Sequence, residues 1–197
     1  MRRGLRWSAL SGAAVLWPAL AWAHAAQGRA SGLLSGLHHP ASGLDHVVAM
    51  IAVGLWGARL GAPAVWLLPV TFPVVMAFGG MIGLAGVALP AVELAIALSG
   101  LALGLAVLAA WRPKPWLAAL IVGFFAVFHG HAHGAELPPG ADGMLYSVGF
   151  VAATGTLHAT GIGLGLVHRW SWGRASLRAA GAAVASAGAY FLWRALP

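Results

Sequence analysis

The run from Pro115 to Glu136, PWLAALIVGFFAVFHGHAHGAE, decides how the rest of the chain is read. Up to Phe128 it carries no charge and is apolar on every face, which places a helix inside a large core or a membrane. Then His129, His131, His133 and Glu136 follow at once. Ionisable groups at membrane depth are costly and mark function. Imidazole and carboxylate are also the side chains that suit divalent first-row metals.

Working outward, the same texture repeats. Six apolar spans are expected, at roughly 43–60, 64–87, 91–110, 115–130, 143–167 and 175–195. Most approach the ~20 residues a helix needs to cross the hydrocarbon. The breaks carry turn chemistry: Gly61-Ala62-Pro63, Leu89-Pro90, Arg112 to Pro115, and Pro138-Pro139-Gly140. The chain is 60% hydrophobic and 8% charged, against about 25% charged in a soluble domain. It reads as an all-α integral membrane protein with six transmembrane helices, a single domain over 24–197. A barrel would show short alternating segments instead.

Residues 1–23 read as a cleavable signal peptide. Arg2, Arg3 and Arg6 form the basic region, an apolar stretch follows, and Ala21-Trp22-Ala23 offers the cleavage site. An uncleaved anchor is the alternative. With the mature N-terminus outside, the inner loops receive Arg59, Arg112, Lys114, Arg169, Arg174 and Arg178, while only Arg29 and Arg194 fall outside. That satisfies the positive-inside rule. The net charge of +7 is spread over short loops and forms no nucleic-acid-binding stripe. The partner expected is the lipid bilayer. The acidic residues Asp45, Glu93, Glu136 and Asp142 collect on the outer side with the histidines, an entrance that attracts cations. The absence of Cys excludes thiolate metal sites and disulfides.

A second cluster is His38-His39-Pro40-Ala41-Ser42-Gly43-Leu44-Asp45-His46. With Pro40 as the first helical residue, His39 stands near the cap and His46 lies on the same face two turns deeper. Asp45 either binds metal directly or fixes the tautomer of His46, as supporting carboxylates do. His129, His133 and Glu136 are spaced i, i+4, i+7 and share one face if the helix continues outward, although Gly130 and Gly134 weaken it. Glu93 serves either the dipole of its helix or the ion path. His158, on a small and polar face with Thr154, Gly161 and Gly165, turns toward a neighbouring helix. Pro69 and Pro73 predict a kink or break that frees backbone carbonyls. Met50, Met76 and Met81 are read as packing, and the Trp residues near span ends as an aromatic belt.

At these motifs the chain resembles the HupE/UreJ family of bacterial nickel and cobalt permeases. His39-Pro40-x-x-Gly43-x-Asp45-His46 is similar to that family's first signature. Phe128-His129-Gly130-x-Ala132-His133-Gly134-x-Glu136 is similar to the second, and Gly149-Phe150-x-x-x-Thr154-x-x-Leu157-His158-x-x-Gly161 to a third. The resemblance implies a permease of the bacterial inner membrane that takes up Ni2+, with Co2+ next. The ion would serve hydrogenase or urease maturation, or cobalamin synthesis. The metal-handling residues are then expected to be His39, Asp45, His46, Glu93, His129, His133, Glu136 and His158, with no prosthetic group. The ion is the substrate. The rival from another class is an intramembrane zinc hydrolase using the same His/Asp cluster, although no His-Glu-x-x-His is present. No Walker A sequence is present either, so no ATP hydrolysis by that motif is expected.

Overall fold

A computed structural model describes residues 32–137 and 140–196. The expected signal peptide lies outside these residues. All the regular structure described is helical. α1 spans Gly32–Ser42. Then come α2 (Leu44–Leu60), α3 (Ala64–Leu84), α4 (Val92–Leu108), α5 (Pro115–Ala135), α6 (Gly143–Gly165) and α7 (Gly173–Ala195), with a 3-10 turn at Leu166–Arg169. Each expected span holds one helix, α2 to α7.

Three helices are long and apolar enough to cross a membrane: α3, α5, and α6 with its 3-10 extension. A fourth is added if α1 and α2, bent by 82° at Gly43, count as one broken span. α4 is apolar but has 17 residues, which at 1.5 Å per residue gives about 25 Å, short of the ~30 Å hydrocarbon thickness. α7 is diluted by Arg174, Arg178 and Arg194.

The helices pair through glycine. α3 packs most extensively on α5, α4 on α7, and α2 on α6. A side chain at Gly130 would overlap the Met76 carbonyl, and one at Gly134 the Gly80 carbonyl. Gly79 and Gly83 approach the α5 backbone in the same way. Gly130 and Gly134 therefore do not end α5; they let it lie against α3, and the helix runs on to Ala135. Small residues at such seams replace hydrophobic driving force with close van der Waals contact. Gly161 seats on Ile51 and Gly54 of α2, as the small face of α6 predicts.

Three expectations need correction. Pro40 lies inside α1, not at the start of α2. His39 and His46 therefore belong to two helices bent by 82° and share no helix face. Trp56 is fully buried rather than interfacial; it stacks on Trp111 and donates Nε1–H to the Trp111 carbonyl at 3.2 Å. α3 runs unbroken through Pro69 and Pro73.

Chain direction sorts the charges. Asp45 and Glu93 sit in the first turns of α2 and α4, Glu136 caps the end of α5, and Asp142 caps the start of α6. At the opposite end Arg112 donates to the Arg59 carbonyl at 3.3 Å and Arg178 to the Leu108 carbonyl at 3.0 Å. These cations cover the exposed carbonyls of α2 and α4, where helix dipoles favour them.

Candidate metal centre

The bend at Gly43 brings α1 and α2 against the C-terminal end of α5. His39, Asp45, His46, Glu93, His133 and Glu136 line one polar cavity of about 220 Å3 together with Ser42, Gly43 and Ala132. Six of the eight residues nominated from sequence thus meet in one place. Gly43 is needed by proximity: a Cβ there would lie 2.8 Å from Asp45 Oδ1 and 3.0 Å from His46 Nδ1.

The site has two tiers. At the mouth, His39 Nε2 lies 3.1 Å from Glu136 Oε2. His39, His133 and Glu136 each offer a ligand atom, and these atoms lie within 4.8 Å of one another. Glu136 is 59% exposed and His39 22%. Glu93 is exposed at the rim. The spacing argument grouped His129 with His133 and Glu136. The geometry substitutes His39, from another helix, because His129 stands nearly two turns below Glu136.

Below the mouth, the rings of His46 and His133 have centroids 4.5 Å apart, and those of His46 and His129 4.8 Å. His129 is fully buried. Asp45 Oδ1 accepts from His46 Nδ1 at 2.9 Å and from the His46 backbone N–H at 2.9 Å. An ionised carboxylate only accepts, so Nδ1 carries the proton and Nε2 the lone pair. That Nε2 is buried and has no partner among the described residues. Neither do His129 Nδ1, both nitrogens of His133, or both of His158. A buried polar group left unpaired costs about 1–3 kcal/mol.

His158 lies apart. Phe72 of α3 stands edge-on between it and the cluster, with ring centroids 5.3 Å from His129 and 5.4 Å from His158. His158 sits beside the Pro69 carbonyl, short of a well-formed hydrogen bond. Pro73 has no N–H to offer that carbonyl, so the carbonyl is free as the proline pair suggested, without a break in the helix. Thr154, also buried and unpartnered, lies one turn from His158.

The remaining histidines separate cleanly. His131 is half-buried and bonds the Val87 carbonyl at 2.8 Å, and His168 bonds the Gly165 carbonyl at 2.8 Å. His38 is exposed. Met50 and Met76 are buried in the core, while Met81 is exposed. One functional candidate escaped the sequence reading. Ser99 of α4 is fully buried and lies 3.0 Å from His129 Nε2. Its signal was that it is the only hydroxyl between Val92 and Leu108.

Fold and site together define a helical, multi-pass membrane protein whose polar machinery is a histidine–carboxylate cluster at one end of the bundle. Comparison with known proteins narrows the class. The family model described as HupE / UreJ protein matches residues 12–191. The chain belongs to the HupE/UreJ family, whose members are transporters and not enzymes, and this removes the zinc-hydrolase alternative. It is 49% identical over 180 residues to Protein HupE of Rhizobium leguminosarum bv. viciae, covering 91% of this chain and 94% of that one. No solved structure matches the chain significantly.

Proposed function

We propose that this protein is a permease of the bacterial inner membrane that carries a divalent transition-metal ion, Ni2+ in the first place and Co2+ next, from periplasm to cytoplasm. Family membership supports metal uptake as the activity. The observation that carries the reading is the stack of buried histidines beneath a carboxylate-rimmed mouth, with unpartnered nitrogens at successive depths. A closed structural site would satisfy one ion at one point; a ladder of incomplete sites binds well enough to admit an ion and weakly enough to release it.

In this account α2 to α7 are six spans, and the mature N-terminus and the histidine end face the periplasm. The arginine-covered end then lies inside, as the positive-inside rule asks. Residues 1–23 act as the signal peptide, and the lipid bilayer is the partner of the spans. Glu93, His39 and Glu136 collect the hydrated ion. His133 takes it inward, with His39 and Glu136 still in reach. His46 Nε2 and His129 Nδ1 receive it in the dry part of the cluster. Asp45 acts through His46, by fixing its tautomer and raising its basicity, and not as a ligand. Past Phe72 the ion meets His158 and the free Pro69 carbonyl. No prosthetic group takes part. Two charges crossing about 100 mV gain roughly 4.6 kcal/mol, so the membrane potential supplies a sufficient drive.

The test is uptake of radiolabelled nickel and cobalt by cells expressing the protein, beside Asp45→Ala and His46→Ala at matched membrane abundance. Accumulation by the parent and its loss in both variants is expected. Parent cells that accumulate neither metal above empty-vector cells contradict the reading.

A further inference from the structure

We propose that Ser99 is a positioning residue of the metal path: it holds His129 in its Nε2–H tautomer and so makes Nδ1 the nitrogen offered to the ion. The inference rests on the permease reading above and adds a residue outside the three histidine motifs.

Ser99 Oγ has two close neighbours and one proton. It lies 2.6 Å from the Ile96 carbonyl oxygen and 3.0 Å from His129 Nε2. Two oxygens approach to 2.6 Å only with a hydrogen between them, so the hydroxyl donates to Ile96. Toward His129 it can then only accept, and Nε2 must carry the N–H. The lone pair of the neutral ring is left on Nδ1, which is buried with no partner among the described residues. The opposite tautomer would put a buried N–H on Nδ1 with nothing to receive it, and would set two lone pairs against each other at Ser99.

The arrangement parallels the one at His46 with a different lock. There a carboxylate holds Nδ1–H and leaves Nε2 free; here a neutral hydroxyl holds Nε2–H and leaves Nδ1 free. The two rings are 4.8 Å apart. A carboxylate behind an imidazole makes it a stronger donor than a hydroxyl does. The pair is therefore graded: His46 is the tighter station, His129 the looser one. A serine that back-bonds to its own helix is common in apolar helices. What sets Ser99 apart is that the back-bond consumes its only proton and so dictates the protonation of a neighbouring ring.

The experiment compares the full-length parent with Ser99→Ala and Ser99→Thr in detergent. Nickel binding is measured by equilibrium dialysis, and the His129 tautomer by nitrogen-15 NMR of histidine-labelled protein without metal. Ser99→Ala removes one oxygen from a packed helix, and unchanged thermal stability is checked first. The expected result is nickel binding weakened about tenfold to hundredfold in Ser99→Ala, with the Nε2–H signature of His129 lost. Ser99→Thr, which keeps a hydroxyl able to back-bond, restores both. Ser99→Ala that binds nickel like the parent, or that keeps the parent's His129 signature, overturns the proposal. Because both readouts are taken on purified protein, absent uptake in cells would count against the permease reading alone.

Discussion

The mouth of the cavity and the pair of rings beneath it are built from the same side chains and differ in everything else. At the mouth, His39 and Glu136 face water, and their contact at 3.1 Å joins an exposed carboxylate to a part-buried ring. An exposed pair of that kind contributes about 0–1 kcal/mol, so little holds it closed. Beneath it, His46 and His129 are each fixed by one hydrogen bond and left with one free nitrogen. Capture needs charge and mobility, whereas transfer through a dry region needs donors whose protons are already placed. Burial and the identity of the hydrogen-bond partner make that difference, not the ligand type.

Six substitutions sharpen the contrast. The largest effect is expected at the inner tier: His46→Ala should bring nickel uptake to the empty-vector level, since it deletes the donor that Asp45 supports. Gly43→Ala should come next. The new methyl presses on both atoms of the Asp45–His46 hydrogen bond, and disturbing such a supporting contact costs roughly tenfold to hundredfold in metal affinity; initial uptake rates read it. At the mouth, His39→Ala and Glu136→Gln should raise the half-saturating nickel concentration about threefold to tenfold and leave the maximal rate near that of the parent, as expected for lost ground-state capture. The smallest effect belongs to His38→Ala and His131→Ala, which should transport within about twofold of the parent. His131 caps a loop carbonyl, and a bond of that kind is worth about 0.5–1.5 kcal/mol of stability. A maximal rate that fell equally in the mouth and inner variants would erase the distinction between the tiers.

Much of this was legible in the chain. The apolar runs and the turn residues between them locate α2 to α7. The histidines and acids of the first two motifs converge because they lie toward the ends of helices that meet at one end of the bundle, whereas His158, in the interior of α6, stays apart. What sequence did not reveal has a common cause. Gly43 gives no sign of an 82° bend, because a glycine before an apolar run serves equally as a cap or a corner. A straight helix through Gly43 would stack His39 above His46; the corner there instead sets His39 beside His133 and Glu136. Periodicity relates residues within one helix; the trio of His39, His133 and Glu136 spans two. Ser99 and Trp56 have the same explanation, for their partners lie 30 and 55 residues away. Gly130 and Gly134 looked like helix breakers and are the contacts that let α5 persist to its histidines.

In the reading proposed above, nickel crosses the membrane through the histidine cluster. The most direct measurement is nickel-63 entry into proteoliposomes holding only the purified protein, with an inside-negative potential imposed, beside vesicles holding His46→Ala. The account predicts potential-driven accumulation with the parent and none above protein-free vesicles with the variant. Equal accumulation by both, or none by a correctly inserted parent, would contradict it.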